Sequence, residues 1–126
     1  VRPAARPVYL DLRRIRLPLP GWVSILHRVS GVLLFIALPL GTWALSLSLT
    51  DEAGFRRIAG AAAHPLVKLL LLTFVWALAH HFFAGLRHLT LDVHLGTRLD
   101  AARRSSVAVL LASAVVTLLI AWRLFA

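Results

Sequence analysis

The run His80-His81-Phe82-Phe83-Ala84-Gly85-Leu86-Arg87-His88, followed by Asp92, sets imidazoles at the end of a strongly apolar stretch. Ionisable side chains in such a setting are costly and mark a cofactor, an ion path or a substrate site. Spaced 4, 3 and 4 apart, His81, Gly85, His88 and Asp92 fall on one helix stripe. That stripe reads imidazole, gap, imidazole, carboxylate, which is a wall for a flat, metal-centred ligand. Histidine is the usual axial ligand of b-type haem iron. Gly85, one turn from His81, leaves no Cβ to obstruct a porphyrin plane approaching the backbone. His80 competes for the ligand role, but it lies about 100° around the helix with no glycine at the matching offset, which favours His81. One membrane histidine alone is more often a hydrogen-bonding partner for a neighbouring helix. The weight therefore rests on the constellation.

A second polar stripe joins Ser24, His27, Arg28 and Gly31, spaced 3, 1 and 3. Arg28, His27, Arg87 and His88 suit carboxylates such as haem propionates, although arginines at span ends also serve as topology anchors. Ser24 and Arg28, one turn apart, offer a hydroxyl and a guanidinium to the carbonyl oxygen of a small apolar ligand entering from the bilayer. A quinone has that form. Serine at a helix start is also a common cap.

The elements that carry these residues follow from composition. The chain has 126 residues, enough for one small domain, and 60% of them are hydrophobic. Its mean hydropathy of +0.83 sets it in the membrane class. Spans are read at 29–49, 65–86 and 107–125, with Lys68 and Arg123 near enough to span ends to snorkel. The expected fold is all-α: an integral membrane protein of three transmembrane helices at about 22–49, 65–91 and 105–125. Residues 1–21 precede them in a single domain, 1–126. No signal-peptide pattern is read before the first span, and a start at Val1 suggests a removed or trimmed initiator methionine.

Charge supplies the orientation. Arg2, Arg6, Arg13, Arg14 and Arg16 precede the first span, and Arg28 lies just inside it. Arg87, Arg98, Arg103 and Arg104 stand between the second and third, whereas Arg56, Arg57, Lys68 and Arg123 on the opposite side are diluted by Asp51 and Glu52. The positive-inside rule predicts a cytoplasmic N-terminus and an external C-terminus. A net charge of +9 would otherwise suggest nucleic acid. Arginines that flank apolar spans are better explained by topology and anionic lipid, so no nucleic-acid partner is expected. The absence of cysteine excludes disulfides, thiolate metal sites and cysteine nucleophiles.

Antiparallel first and second spans bring the two polar stripes into one leaflet. His81 lies six residues inside Arg87, about 9 Å along a helix. Three helices shield little of such a cluster from lipid, which predicts a bundle shared with a partner subunit. Ala108, Ala112, Ser113, Ala114 and Ala121 would permit close helix approach, although alanine is common throughout the chain.

The segment Arg6-Pro7-Val8-Tyr9-Leu10-Asp11-Leu12, then Ile15-Arg16-Leu17-Pro18 and Ser24-Ile25-Leu26-His27-Arg28-Val29-Ser30-Gly31, resembles the cytochrome b556 subunits of bacterial succinate dehydrogenase. His81-x3-Gly85-x-Arg87-His88-x3-Asp92 completes the pattern in the expected order, followed by Arg104-Ser105. The resemblance covers about residues 6–126. It implies the large membrane anchor of respiratory complex II in a bacterial inner membrane, paired with a second three-helix membrane subunit. It also implies docking of an iron–sulfur subunit and a flavoprotein subunit on the cytoplasmic face. Haem b would be shared between the two membrane subunits, with His81 as this chain's axial ligand and His27, Arg28 and His88 near the propionates. Ser24 and Arg28 would line the site where ubiquinone is reduced, with Asp92 a candidate for a proton path. The chain would not oxidise succinate itself and would have no independent activity. Two departures stand out: the His80-His81 doublet, and His94 where a glycine often follows the aspartate.

Other readings remain open on the residues alone. A fumarate reductase-type anchor would run the chemistry in reverse or lack haem. A small transporter would use the intramembrane histidines as a proton relay. An assembly subunit would use the stripes only for packing.

Overall fold

The computed structural model describes residues 16–126, which form four helices: α1 (Leu19–Ser48), α2 (Glu52–Ala63), α3 (Pro65–Asp92) and α4 (Leu99–Phe125). No strand occurs among the described residues. The segment from Arg6 to Ile15, with Arg2, Arg13 and Arg14, lies outside them. The 30, 28 and 27 residues of α1, α3 and α4 make each long and apolar enough to cross a membrane. At 1.5 Å per residue they extend about 40–45 Å, beyond a hydrocarbon core of about 30 Å. Their ends therefore reach the headgroup regions.

The boundaries have local causes. Pro18 caps α1 with extended backbone, and Pro20 sits in its first turn, where a missing N–H costs nothing. Pro65 opens α3 in the same way and holds His64 extended, which ends α2. At the far end of α3, Leu95 N–H donates to the Thr90 carbonyl (2.9 Å) and His94 N–H to that of Leu91 (2.9 Å). This paired closure needs a left-handed residue, and His94 supplies it with φ +61. A histidine thus makes a turn that usually falls to glycine, at the steric cost of a Cβ.

Two boundaries differ from the sequence reading. The last helix begins at Leu99 rather than near 105, because hydropathy marks the membrane-crossing part while Asp100 suits the N-terminal turn ahead of it. Residues 52–63, unassigned from sequence, form α2.

Helix α3 packs against both α1 and α4. The core is thin: Val23, Ala84 and Val109 are buried, with Phe83 and Leu110 packed on them. Helix α4 meets α3 along Ser106, Val109 and Ser113. The two serine hydroxyls donate to carbonyls of their own helix, Ala102 and Val109, both at 2.7 Å. They act at the contact as small residues. Of the small residues expected at helix contacts, Ser113 lies there, whereas Ala108 and Ala114 are exposed. Lys68 Nζ donates to the Leu124 carbonyl at 2.7 Å, so a cation caps the C-terminal end of α4. The outward faces carry Phe35, Leu38, Leu118 and other exposed apolar side chains that a bilayer would solvate.

Candidate functional site

The two polar stripes meet between the start of α1 and the last turns of α3. The His27 and His81 rings stack with centroids 4.2 Å apart and planes 15° from parallel. His88 also reaches His27, with ring centroids 4.9 Å apart and planes tilted by 50°. His27 thus contacts two histidines separated by seven positions of one helix.

His81 is held by an acceptor that fixes its chemistry. Its Nδ1 lies 3.1 Å from the His27 carbonyl oxygen, and a carbonyl can only accept, so Nδ1 carries the proton. Ser30 Oγ donates to the same carbonyl at 2.8 Å and lies 3.3 Å from Nδ1. In the neutral ring this leaves Nε2 with its lone pair, the form in which imidazole binds a metal. Among the described residues Nε2 has no hydrogen-bond partner, and it is not sealed in the core. Ser30 was not singled out from sequence. Its position three residues after His27 puts both on neighbouring helix turns, the signal that could have found it.

The glycines serve this packing more than an open gap would. A Cβ on Gly31 would come within 3.1 Å of His81 Cε1, so α1 can approach the ring only because that position is bare. At Gly85 a Cβ would stand 3.6 Å from His27 Nε2. The ring over Gly85 is therefore His27 from the facing helix, where the sequence reading expects a porphyrin plane.

His80 faces the other way. It is 0% exposed, its ring stacks on Trp76 at 5.5 Å, and among the described residues neither ring nitrogen has a hydrogen-bond partner. Arg87 also departs from the expectation that it joins the carboxylate-binding group. It is 6% exposed and turned to α4, with Nε donating to Ser105 Oγ (3.0 Å) and Nη2 to the Ala102 carbonyl (3.4 Å). The cause is position: Arg87 follows His80 by seven residues, two helix turns, and so shares its core-facing side.

Among the described residues, exposed Arg28 makes one weak contact, Nε to the Ser24 carbonyl at 3.4 Å. Its guanidinium lies beside a half-buried Ser24. Asp92 is exposed at the last position of α3, one helix turn beyond His88. Among the described residues no three His, Asp or Glu side chains converge to hold a metal ion by themselves. Among the described residues the arrangement offers an unpartnered ring nitrogen on His81, two further imidazoles and the exposed guanidinium of Arg28.

A family model described as succinate dehydrogenase/fumarate reductase transmembrane subunit matches residues 2–120. The chain is 34% identical to the succinate dehydrogenase cytochrome b556 subunit of Paracoccus denitrificans, over 90% of this chain and 88% of that protein. It is 32% identical to the protein of the same name from Coxiella burnetii, over 87% and 89%. With that of Rickettsia bellii it shares 30% identity over 91% and 90%.

Proposed function

The chain belongs to the family of succinate dehydrogenase/fumarate reductase transmembrane subunits, and on that premise we propose that it is the large membrane anchor of a bacterial succinate dehydrogenase. Residues 1–126 act as one membrane-anchor domain of the inner membrane, with the N-terminus in the cytoplasm. Its partners are a second three-helix membrane subunit, an iron–sulfur subunit and a flavoprotein subunit. The chain oxidises no succinate; it binds and orients the quinone that receives the electrons.

The relatives are named for a b-type cytochrome, and the residues present fit one haem b shared with the second membrane subunit. The single observation that carries this reading is the His81 Nδ1 contact to the His27 carbonyl, which frees Nε2 for iron. His27, which stacks on His81, His88, which touches His27, and the neighbouring Arg28 would meet the propionates. When bound, the haem supplies a one-electron carrier within the membrane. His80, sealed among the helices, is the poorer candidate.

At the quinone site Arg28 holds a carbonyl oxygen by a charge-assisted hydrogen bond. That bond strengthens as negative charge gathers on the oxygen during reduction, so it favours the reaction as well as binding. Ser24 hydrogen-bonds the same end of the ring. Protons enter from the cytoplasmic side, with Asp92 as the candidate at the helix end. Arg28→Ala in the assembled complex should abolish most succinate-driven ubiquinone reduction, while succinate oxidation by an artificial acceptor persists. Normal quinone turnover in that variant would overturn the assignment.

A further inference from the structure

Helix α2 plays no part in the histidine cluster. It lies at the other end of the bundle, packed against the end of α1 and the start of α3. Asp51 caps it by accepting from Gly54 N–H at 2.6 Å. Its protein-facing stripe is Gly54, Ile58 and Ala62, spaced one turn apart. Gly54 is required there, since a Cβ would collide with the Leu47 carbonyl oxygen.

The remaining faces are sharply different from one another. Residues two apart on a helix are separated by about 200°, so Phe55 and Arg57 stand on nearly opposite flanks of the buried stripe. Phe55 is 60% exposed. Arg56 and Arg57 are exposed; Arg56 pairs with Glu52 at 3.0 Å, and Arg57 has no hydrogen-bond partner among the described residues. The same end of the bundle carries Trp43 near the close of α1 and Trp122 and Phe125 at the close of α4, all exposed. Exposed aromatics at the ends of membrane-crossing helices mark the headgroup level.

We infer that α2 is an interfacial helix seated in the phospholipid headgroup layer, with Phe55 turned to the acyl chains and Arg56 and Arg57 among lipid phosphates. Two features favour lipid over a protein partner. Phe55 continues the aromatic belt of helices whose outer faces are already apolar. The opposite flank offers guanidiniums to an anionic layer, and an amphipathic helix with a basic polar face is the usual occupant of that boundary. The inference does not depend on the haem or quinone assignments.

The test uses the assembled complex in nanodiscs of phosphatidylcholine and phosphatidylglycerol, with a photo-crosslinking benzoylphenylalanine replacing Phe55 or Arg57. Adducts are weighed on this chain by mass spectrometry, and retained succinate oxidation checks assembly. At position 55 the adducts should be phospholipid, with phosphatidylglycerol enriched about fivefold over its share of the disc, as one uncompensated surface arginine gives. At position 57 the adducts should also be phospholipid, but joined at headgroup or glycerol carbons, whereas those at position 55 should be joined at acyl carbons. Arg56→Gln with Arg57→Gln should return the enrichment to parity. Protein adducts at position 55, acyl-carbon adducts at both positions alike, or an enrichment unchanged by the glutamines would each overturn the inference.

Discussion

Gly31→Ala separates the role of the helix backbone from the role of the ring that it lets in. The added Cβ would stand 3.1 Å from His81 Cε1, about 0.4 Å inside the shortest ordinary carbon–carbon contact. Pushing the ring off α1 by that amount lengthens the bond from Nδ1 to the His27 carbonyl from 3.1 Å to about 3.5 Å, the limit of a useful hydrogen bond. Losing it costs about 0.5–1.5 kcal/mol. Replacing glycine by alanine inside a helix returns about 1 kcal/mol. The two nearly cancel, so the melting temperature of the complex should barely move while the site is altered. Gly41→Ala on the same helix has nothing within 4 Å of the new Cβ, so it should show the gain of about 1 kcal/mol alone. Thermal denaturation of both variants, with their visible haem spectra and haem midpoint potentials, reads stability and site together. A Gly31→Ala complex as stabilised as Gly41→Ala, with an unchanged spectrum and potential, would refute the claim that Gly31 sets the approach of α1 to His81.

Two further substitutions probe the frame. Arg87→Leu removes charged hydrogen bonds to Ser105 and Ala102 across α3 and α4, and should destabilise the complex by about 1.5–3 kcal/mol; an unchanged melting temperature would contradict the clamp. His94→Gly keeps the left-handed turn at φ +61 without a Cβ, and should stabilise by about 1 kcal/mol. His94→Val, measured the same way, should destabilise.

The long helices were legible because a charge-free stretch of membrane length has few alternatives in water or lipid. Helix α2 was not, since five alanines, two glycines and two arginines in twelve residues give no span signal. Its caps were readable all the same: Asp51 as an N-cap, and Pro65 forcing His64 out of helix. The six residues that α4 adds before 105 were hidden for a related reason, because Arg103 and Arg104 are exposed helix rather than loop.

At the site, helical spacing and antiparallel topology were enough to bring His27 to His81 and His88. What spacing could not supply was rotation within each face. Arg87 and His88 are neighbours in sequence, yet one is clamped to α4 and the other touches His27. Likewise His80 and His81 are equivalent by composition and differ only in which helix they meet. Ser30 escaped notice because a serine that bonds to its own helix looks the same in sequence as one that also stands beside a histidine ring of the facing helix.

That difference between adjacent histidines makes the most direct measurement a pair of visible spectra, reduced minus oxidised, of the assembled complex. If its Nε2 is the ligand, as proposed, His81→Ala should lose the b-type haem bands or shift them to those of a five-coordinate iron. His80→Phe, which keeps a ring in the buried site, should retain the native bands and midpoint potential. An unchanged spectrum in His81→Ala, or loss of the bands in His80→Phe alone, would contradict the assignment.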